Sequence, residues 1–443
     1  MQALKRGWKY IAVFVIALMV MLGMLVLAAR LPRSAIRANV RESAEYLCSG
    51  ELFGTVAEGV EGSKIDRYAD SILLAIAYQY SDRQPLTSVM WSSYYFTEYQ
   101  NENDNLLDAV TYDYEPNRQY LRYWHGSNAI VRPLLTVFEL REIYVLNAVL
   151  LAILAVLLLV LLVRNRAFAP AIGVAAGLVL TAVWYVPLSL EYTWAYLLML
   201  LMSIVAVKLA LNGKQNRLGF LFLVGGMVTN YLDFLTTETL TMLVPLLLIL
   251  WLDRQKKAAQ TFPTLLKRAG KPVLAWGCGY VGMWGMKWVT ASVVLGENVL
   301  PYVSGHIEER LGGDIGISFW KYITGAVTRN IGCLFPLEYG VAGKIAGAAL
   351  LLAVIYVAYV YHRKQICKEW ILLYALVGLV PYVRYIVLHN HSYLHFFFTY
   401  RAQMATVLAV VLILEELTEW RWVERAKTGK RRSGAVNRHA LPK

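Results

Sequence analysis

Several ionisable residues in this chain have the type and spacing to do chemistry. Asp66 and Asp70 lie four apart in Ile65-Asp-Arg-Tyr-Ala-Asp70, so a helix that includes both puts them on one face. Two neighbouring carboxylates can divide into base and stabiliser, or hold a divalent cation together. The alternative is an N-cap that accepts the first free backbone N–H groups, and spacing alone favours that for at least one of them. His391 and His395 repeat the four-residue spacing in His389-Asn-His-Ser-Tyr-Leu-His395. Two imidazoles on one helix face can bind zinc, but no carboxylate completes the set, so no metal site is assigned. Phosphate or hydroxyl groups of a substrate suit them better, with Arg384 and Arg401 near enough in sequence to clamp a phosphate bidentately. Lys287, in Met283-Trp-Gly-Met-Lys-Trp288, either meets an anion or snorkels toward the interface. Asp233 and Glu238 bound a tight turn, as solvated caps or facing the same cavity as the other charges.

The elements that must position these residues are membrane helices. Of the 443 residues, 58% are hydrophobic and 16% charged, against roughly 25% charged in soluble domains. The apolar excess falls in runs long enough to cross a bilayer, where helices satisfy their own backbone groups. We expect an all-α membrane protein with about ten transmembrane helices. The first covers residues 1–29, helices two to seven lie within 143–295, and helices eight to ten within 342–416. An outer loop fills 30–142, a second outer segment 296–341, and a basic tail 417–443.

The net charge of +13 does not point to nucleic acid, because the Lys and Arg residues sit in short loops and tails. Alternating sides places every basic loop with both termini, which is the cytoplasmic pattern. Asp66, Asp70, Asp233, Lys287, Arg384, His391, His395 and Arg401 then fall at the outer face, where one shared cavity would hydrate and pair them. The first loop is acidic between 42 and 115 and carries amphipathic stripes at Ile72, Leu73, Ile76, Ala77, Tyr80 and at Ile130, Val131, Leu134, Leu135, Phe138. These read as helices lying along the outer membrane surface, with a small globular insert as the alternative for the middle of the loop. The 4 cysteines show no paired-ligand spacing, and a Cys48–Cys333 disulfide would require the two outer segments to touch. No glycine-rich phosphate loop or nucleophile elbow is present, which disfavours nucleotide hydrolysis and serine chemistry.

Many spans, a long first outer loop and an acid at the start of an apolar helix, Asp66-Arg-Tyr-Ala-Asp70-Ser-Ile-Leu-Leu-Ala, together resemble the GT-C superfamily of membrane glycosyltransferases. The motif departs from its commonest form, since no second acid directly follows Asp66. The chain also resembles a group of uncharacterised bacterial multi-span proteins in Arg122-Tyr-Trp-His-Gly126, in the Asp233-Phe-Leu-Thr turn and from His391-Ser to Tyr400-Arg401. The GT-C resemblance implies a glycosyl transfer at the outer face of a bacterial cytoplasmic membrane. A polyprenyl-phosphate sugar would be the donor and an envelope glycan or lipid the acceptor. Asp66 would be the base, and Lys287, Arg384 or Arg401 would stabilise the departing phosphate. A transporter or flippase of an anionic lipid-linked sugar would use the same cationic cavity without a base. A non-catalytic envelope assembly protein would need no such cavity.

Overall fold

Apolar runs become helices here because lipid offers the backbone no hydrogen-bond partners. The computed structural model describes residues 2–232, 235–256, 260–302, 318–363 and 365–419, and no strand forms among them. The first helix, α1 (Gln2–Ala29), leads into the segment expected at the outer face, a unit of five shorter helices (the outer unit): α2 (Arg33–Cys48), α3 (Arg67–Gln79), α4 (Pro85–Trp91), α5 (Glu102–Tyr112) and α6 (Asn128–Leu134). The bundle continues with α7 (Leu140–Arg164), α8 (Phe168–Leu180), α9 (Leu190–Leu211), α10 (Leu218–Leu232), α11 (Leu240–Lys256) and α12 (Phe262–Leu295). After α13 (Phe319–Gly332) come α14 (Gly340–Val360), α15 (Lys368–Val387), α16 (His389–Leu394), α17 (Phe396–Thr399) and α18 (Met404–Leu417).

Among the described residues 6 helices are long and apolar enough to cross a membrane: Gly7–Ala29, Leu140–Arg164, Leu190–Leu211, Gly340–Val360, Lys368–Val387 and Phe396–Leu417. The chain is thus an α-helical, multi-pass membrane protein. The other four expected crossings differ for physical reasons. Helix α8 has 13 residues, about 20 Å, because the backbone turns left-handed at Ala182 (φ 49°) and tightens into a 3-10 helix over Val183–Leu188. Helices α10 and α11 have 15 and 17 residues, about 23 and 26 Å, and α11 is buried continuously from Leu240 to Leu252. Helix α12 is long, at 34 residues, but Lys287 and its glycines and tryptophans make it less apolar. It crosses α10 so closely that a Cβ at Gly226 would stand 2.0 Å from the Trp276 carbonyl oxygen, and one at Gly279 2.1 Å from that of Leu223. Only glycine permits that approach.

The two ends of the bundle differ in chemistry. At one, Arg254 pairs with Glu416 at 2.7 Å, Lys256 donates to the Ala210 carbonyl at 3.0 Å, and the Arg363 N–H donates to Leu417 at 2.7 Å. These bonds gather the basic connections after α9, α11 and α14 at the end of α18. The outer unit packs on the opposite end, around the start of α9 and the residues that precede α18.

The short helices share one buried core with α1, α7, α9, α10 and α12, which corrects one expectation. Helix α3 does not lie on a membrane surface, since every residue from Asp70 to Gln79 is buried. Its second face, Leu74, Ala75 and Tyr78, is as apolar as the stripe, so neighbours cover it all round. Each fully buried Leu or Ile contributes roughly 1.5–3 kcal/mol. The globular-insert alternative describes this part of the loop. Helix α6 does keep an open apolar side, with Val131 and Leu135 buried but Ile130 37% exposed. Cys48 and Cys333 are both free thiols.

Candidate functional site

Asp66 is the N-cap of α3: its Oδ1 accepts the Ala69 N–H at 2.9 Å. Only 3% of the residue is exposed, yet among the described residues no cation comes within ion-pair distance and the Ala69 N–H is the hydrogen-bond donor it has. Burial pushes its carboxyl up to about 7, with Asp70 adding to the shift and the Ala69 N–H opposing it. A carboxyl raised by burial suits general-base work, but burial pushes Asp70 up to about 7 as well, so the shift does not separate the two acids.

Asp70 stands in contrast. It accepts the Tyr144 hydroxyl, the Ser189 hydroxyl at 3.2 Å and the Leu190 N–H at 3.0 Å, and the Glu191 N–H also bonds it. Ser189 precedes α9 without capping it through its own side chain, so Asp70 supplies that cap from 119 residues away. This carboxylate holds α3 to α7 and α9. The four-residue spacing does not make the two acids equivalent.

The Arg401 guanidinium lies 4.7 Å from the centroid of the Tyr192 ring and reaches the loop before Asp66 through Gly62. Arg401 is 1% exposed and donates to the Phe397 carbonyl at 3.2 Å and the Gly62 carbonyl at 2.9 Å. Its Nε has no partner, and neither has the Tyr192 hydroxyl. Gly62 is held at its N–H as well, which donates to Glu338 at 2.7 Å. Thus α18's leading turn and the loop before Asp66 are pinned together within a few residues of the carboxylate.

The histidine pair adjoins the same place. His391 and His395 have ring centroids 4.8 Å apart, His395 stacks on Phe398 at 5.3 Å, and Phe398 packs on Tyr192 at 5.4 Å. No group of three or more His, Cys, Asp or Glu side chains converges on a metal among the described residues.

Two expected members are placed otherwise. Arg384 spends its fork on Glu238, at 2.5 and 2.9 Å, and donates to the Leu235 carbonyl. Both residues are buried, so Glu238 is no solvated cap and the guanidinium is not open to a phosphate. Lys287 is fully buried, and its ammonium donates to the Val89 and Met90 carbonyls at 3.1 Å each, closing the last turn of α4. It also lies 5.5 Å over Trp124. No hydrogen bond, ion pair or ring contact joins it to Asp66, Arg384 or Arg401. The structure therefore does not bring all four to one cavity. Asp233 lies outside the described residues.

Sequence reasoning missed Tyr192, Gly62 and Glu338. Only Tyr192 carried a local signal, as part of the polar interruption Glu191-Tyr-Thr193 at the head of an apolar span. Comparison with family models, curated proteins and solved structures yields no match, so the reading of this site rests on its own geometry.

Proposed function

We propose that this chain transfers a glycosyl group at the outer membrane face, from a polyprenyl-phosphate sugar to an envelope acceptor. The observation that supports this reading is the set of buried, incompletely satisfied polar groups on three elements: Asp66, the Tyr192 hydroxyl and Arg401 Nε. Buried polar atoms normally have partners, and a ligand rich in hydroxyl and phosphate oxygens would supply them. In the proposed step an acceptor hydroxyl attacks the anomeric carbon and its proton passes to Asp66. The bond between that carbon and the phosphate oxygen breaks, and the oxygen leaves with the electron pair. Arg401 and the His391–His395 pair face the leaving phosphate. Asp70, Arg384 and Lys287 hold the frame.

The same reading places ten crossings in a bacterial cytoplasmic membrane, both termini cytoplasmic and the outer unit outside. A Cys placed at 102 should then react with an impermeant thiol reagent in intact cells, and one at 260 should not. The chemical test follows sugar leaving a polyprenyl-phosphate donor in reconstituted liposomes. Release of lipid phosphate that depends on Asp66 is the expected result. Undiminished release by Asp66→Asn would remove the base, and movement of intact donor across the bilayer with no release by the parent would favour a flippase.

A further inference from the structure

A band of aromatic rings runs outward from Asp66. Phe53 contacts Phe397 beside the histidines at 5.7 Å and stacks on Tyr68 at 5.8 Å, two residues along the chain from Asp66. Tyr68 is 36% exposed, and its electrostatic neighbours are Glu102, Tyr120, Tyr94 and Arg118. From Tyr120 the band continues to Tyr123 at 5.9 Å and then to Trp284, nearly parallel to Tyr123 at 17° and 6.3 Å. The Arg122 guanidinium lies 4.4 Å over Tyr120.

These rings are half-exposed, so they are not simply core. An interfacial belt would keep its aromatics at headgroup depth to anchor a helix. Here they are interleaved with Glu102 and the exposed Arg118 and belong mostly to the outer unit, in two clusters: Phe397, Phe53 and Tyr68 beside Asp66, and Tyr94, Tyr120, Tyr123 and Trp284. Flat apolar faces beside carboxylate and guanidinium groups match one chemistry closely. The C–H faces of a pyranose stack on rings, while its hydroxyls exchange hydrogen bonds with acids and arginines.

We propose that this band is the binding track for an extended oligosaccharide, which presents its terminal hydroxyl to Asp66. The inference deepens the glycosyl-transfer reading by naming a polymeric glycan as acceptor, rather than a small molecule or a lipid. Binding, however, can be measured without any transfer.

The full chain in nanodiscs would be titrated with chitohexaose, cellohexaose and maltohexaose and with their disaccharides, following tryptophan fluorescence and saturation-transfer NMR. At least one hexamer should bind, about tenfold or more tighter than its disaccharide. Tyr68→Leu and Tyr120→Leu should each weaken it about tenfold, the scale of one lost ring contact. Glu102→Gln, which leaves the packing intact, should weaken it severalfold and covers the case in which a leucine variant misfolds. Binding without transfer would leave the track standing and sink the glycosyl-transfer reading. Transfer to small or lipid acceptors with no hexamer binding would do the reverse. Hexamer affinity equal to that of the disaccharide, or unchanged in every folded variant, would overturn the track.

Discussion

Two places in this protein bury ionisable groups beneath the outer unit, and they use them differently. Around Lys287 the account closes: a fully buried ammonium meets two helix-terminal carbonyls and an indole face, and no acid among the described residues pairs with it. Around Asp66 it stays open. That carboxylate has one N–H donor, Arg401 has carbonyls and rings but no carboxylate, and the Tyr192 hydroxyl has nothing. Burial of a charge is therefore a poor marker of function by itself. What separates a structural charge from a candidate reactive one is how many of its bonding positions the fold has filled.

The largest effect expected from this contrast is catalytic. Asp66→Asn retains capping ability, since Asn caps about as well as Asp, and should lower turnover by roughly 10²–10⁴-fold with the fold intact. Asp70→Asn should instead lower the melting temperature, because an amide nitrogen turned toward the Leu190 N–H meets a donor and one turned toward Tyr144 or Ser189 forces that hydroxyl to give up donating. Equal losses of turnover in two equally stable variants would erase the distinction between the acids.

Breaking the closed ion pair comes next. Arg384→Met strands Glu238 as a buried charge and should cost roughly 3–5 kcal/mol, read from denaturant titration in detergent. A cost under about 1 kcal/mol would show that the pair is hydrated and its arginine free to take a ligand. Lys287→Met keeps most of the volume and removes the cap on α4. It should destabilise by about 1–2 kcal/mol and leave donor affinity unchanged. Weaker donor binding in a fully stable Lys287→Met protein would move Lys287 into the site.

The smallest effect is a pH dependence. Asp66 ionises near pH 4 when unfolded and at about 7 when folded. Below pH 4 it is protonated in both states and costs nothing. As pH rises from about 4 to about 7 the unfolded chain releases this proton first, so stability is lost across that window. Asp66→Asn removes the loss. Its melting temperature should exceed that of the parent by more at pH 8 than at pH 5, while parental turnover rises with pH through about 7. A difference independent of pH would mean that Asp66 is already ionised and solvated.

Composition and periodicity alone determined the membrane-embedded helical class and offered the capping position of Asp66, and six of the ten crossings they led us to expect are helices long and apolar enough to span. All of these are local properties, set by runs and spacings within a few turns. The partners of the charges are not local. Lys287 bonds residues 198 and 197 positions away, Arg384 one 146 away, Asp70 one 119 away and Arg401 one 339 away. The buried all-round packing of α3 was decided in the same way, by neighbours distant in sequence. Spacing can put two acids on one helix face. Only the assembled bundle decides which of them has its hydrogen bonds supplied, because the donors arrive on helices whose placement no single segment encodes.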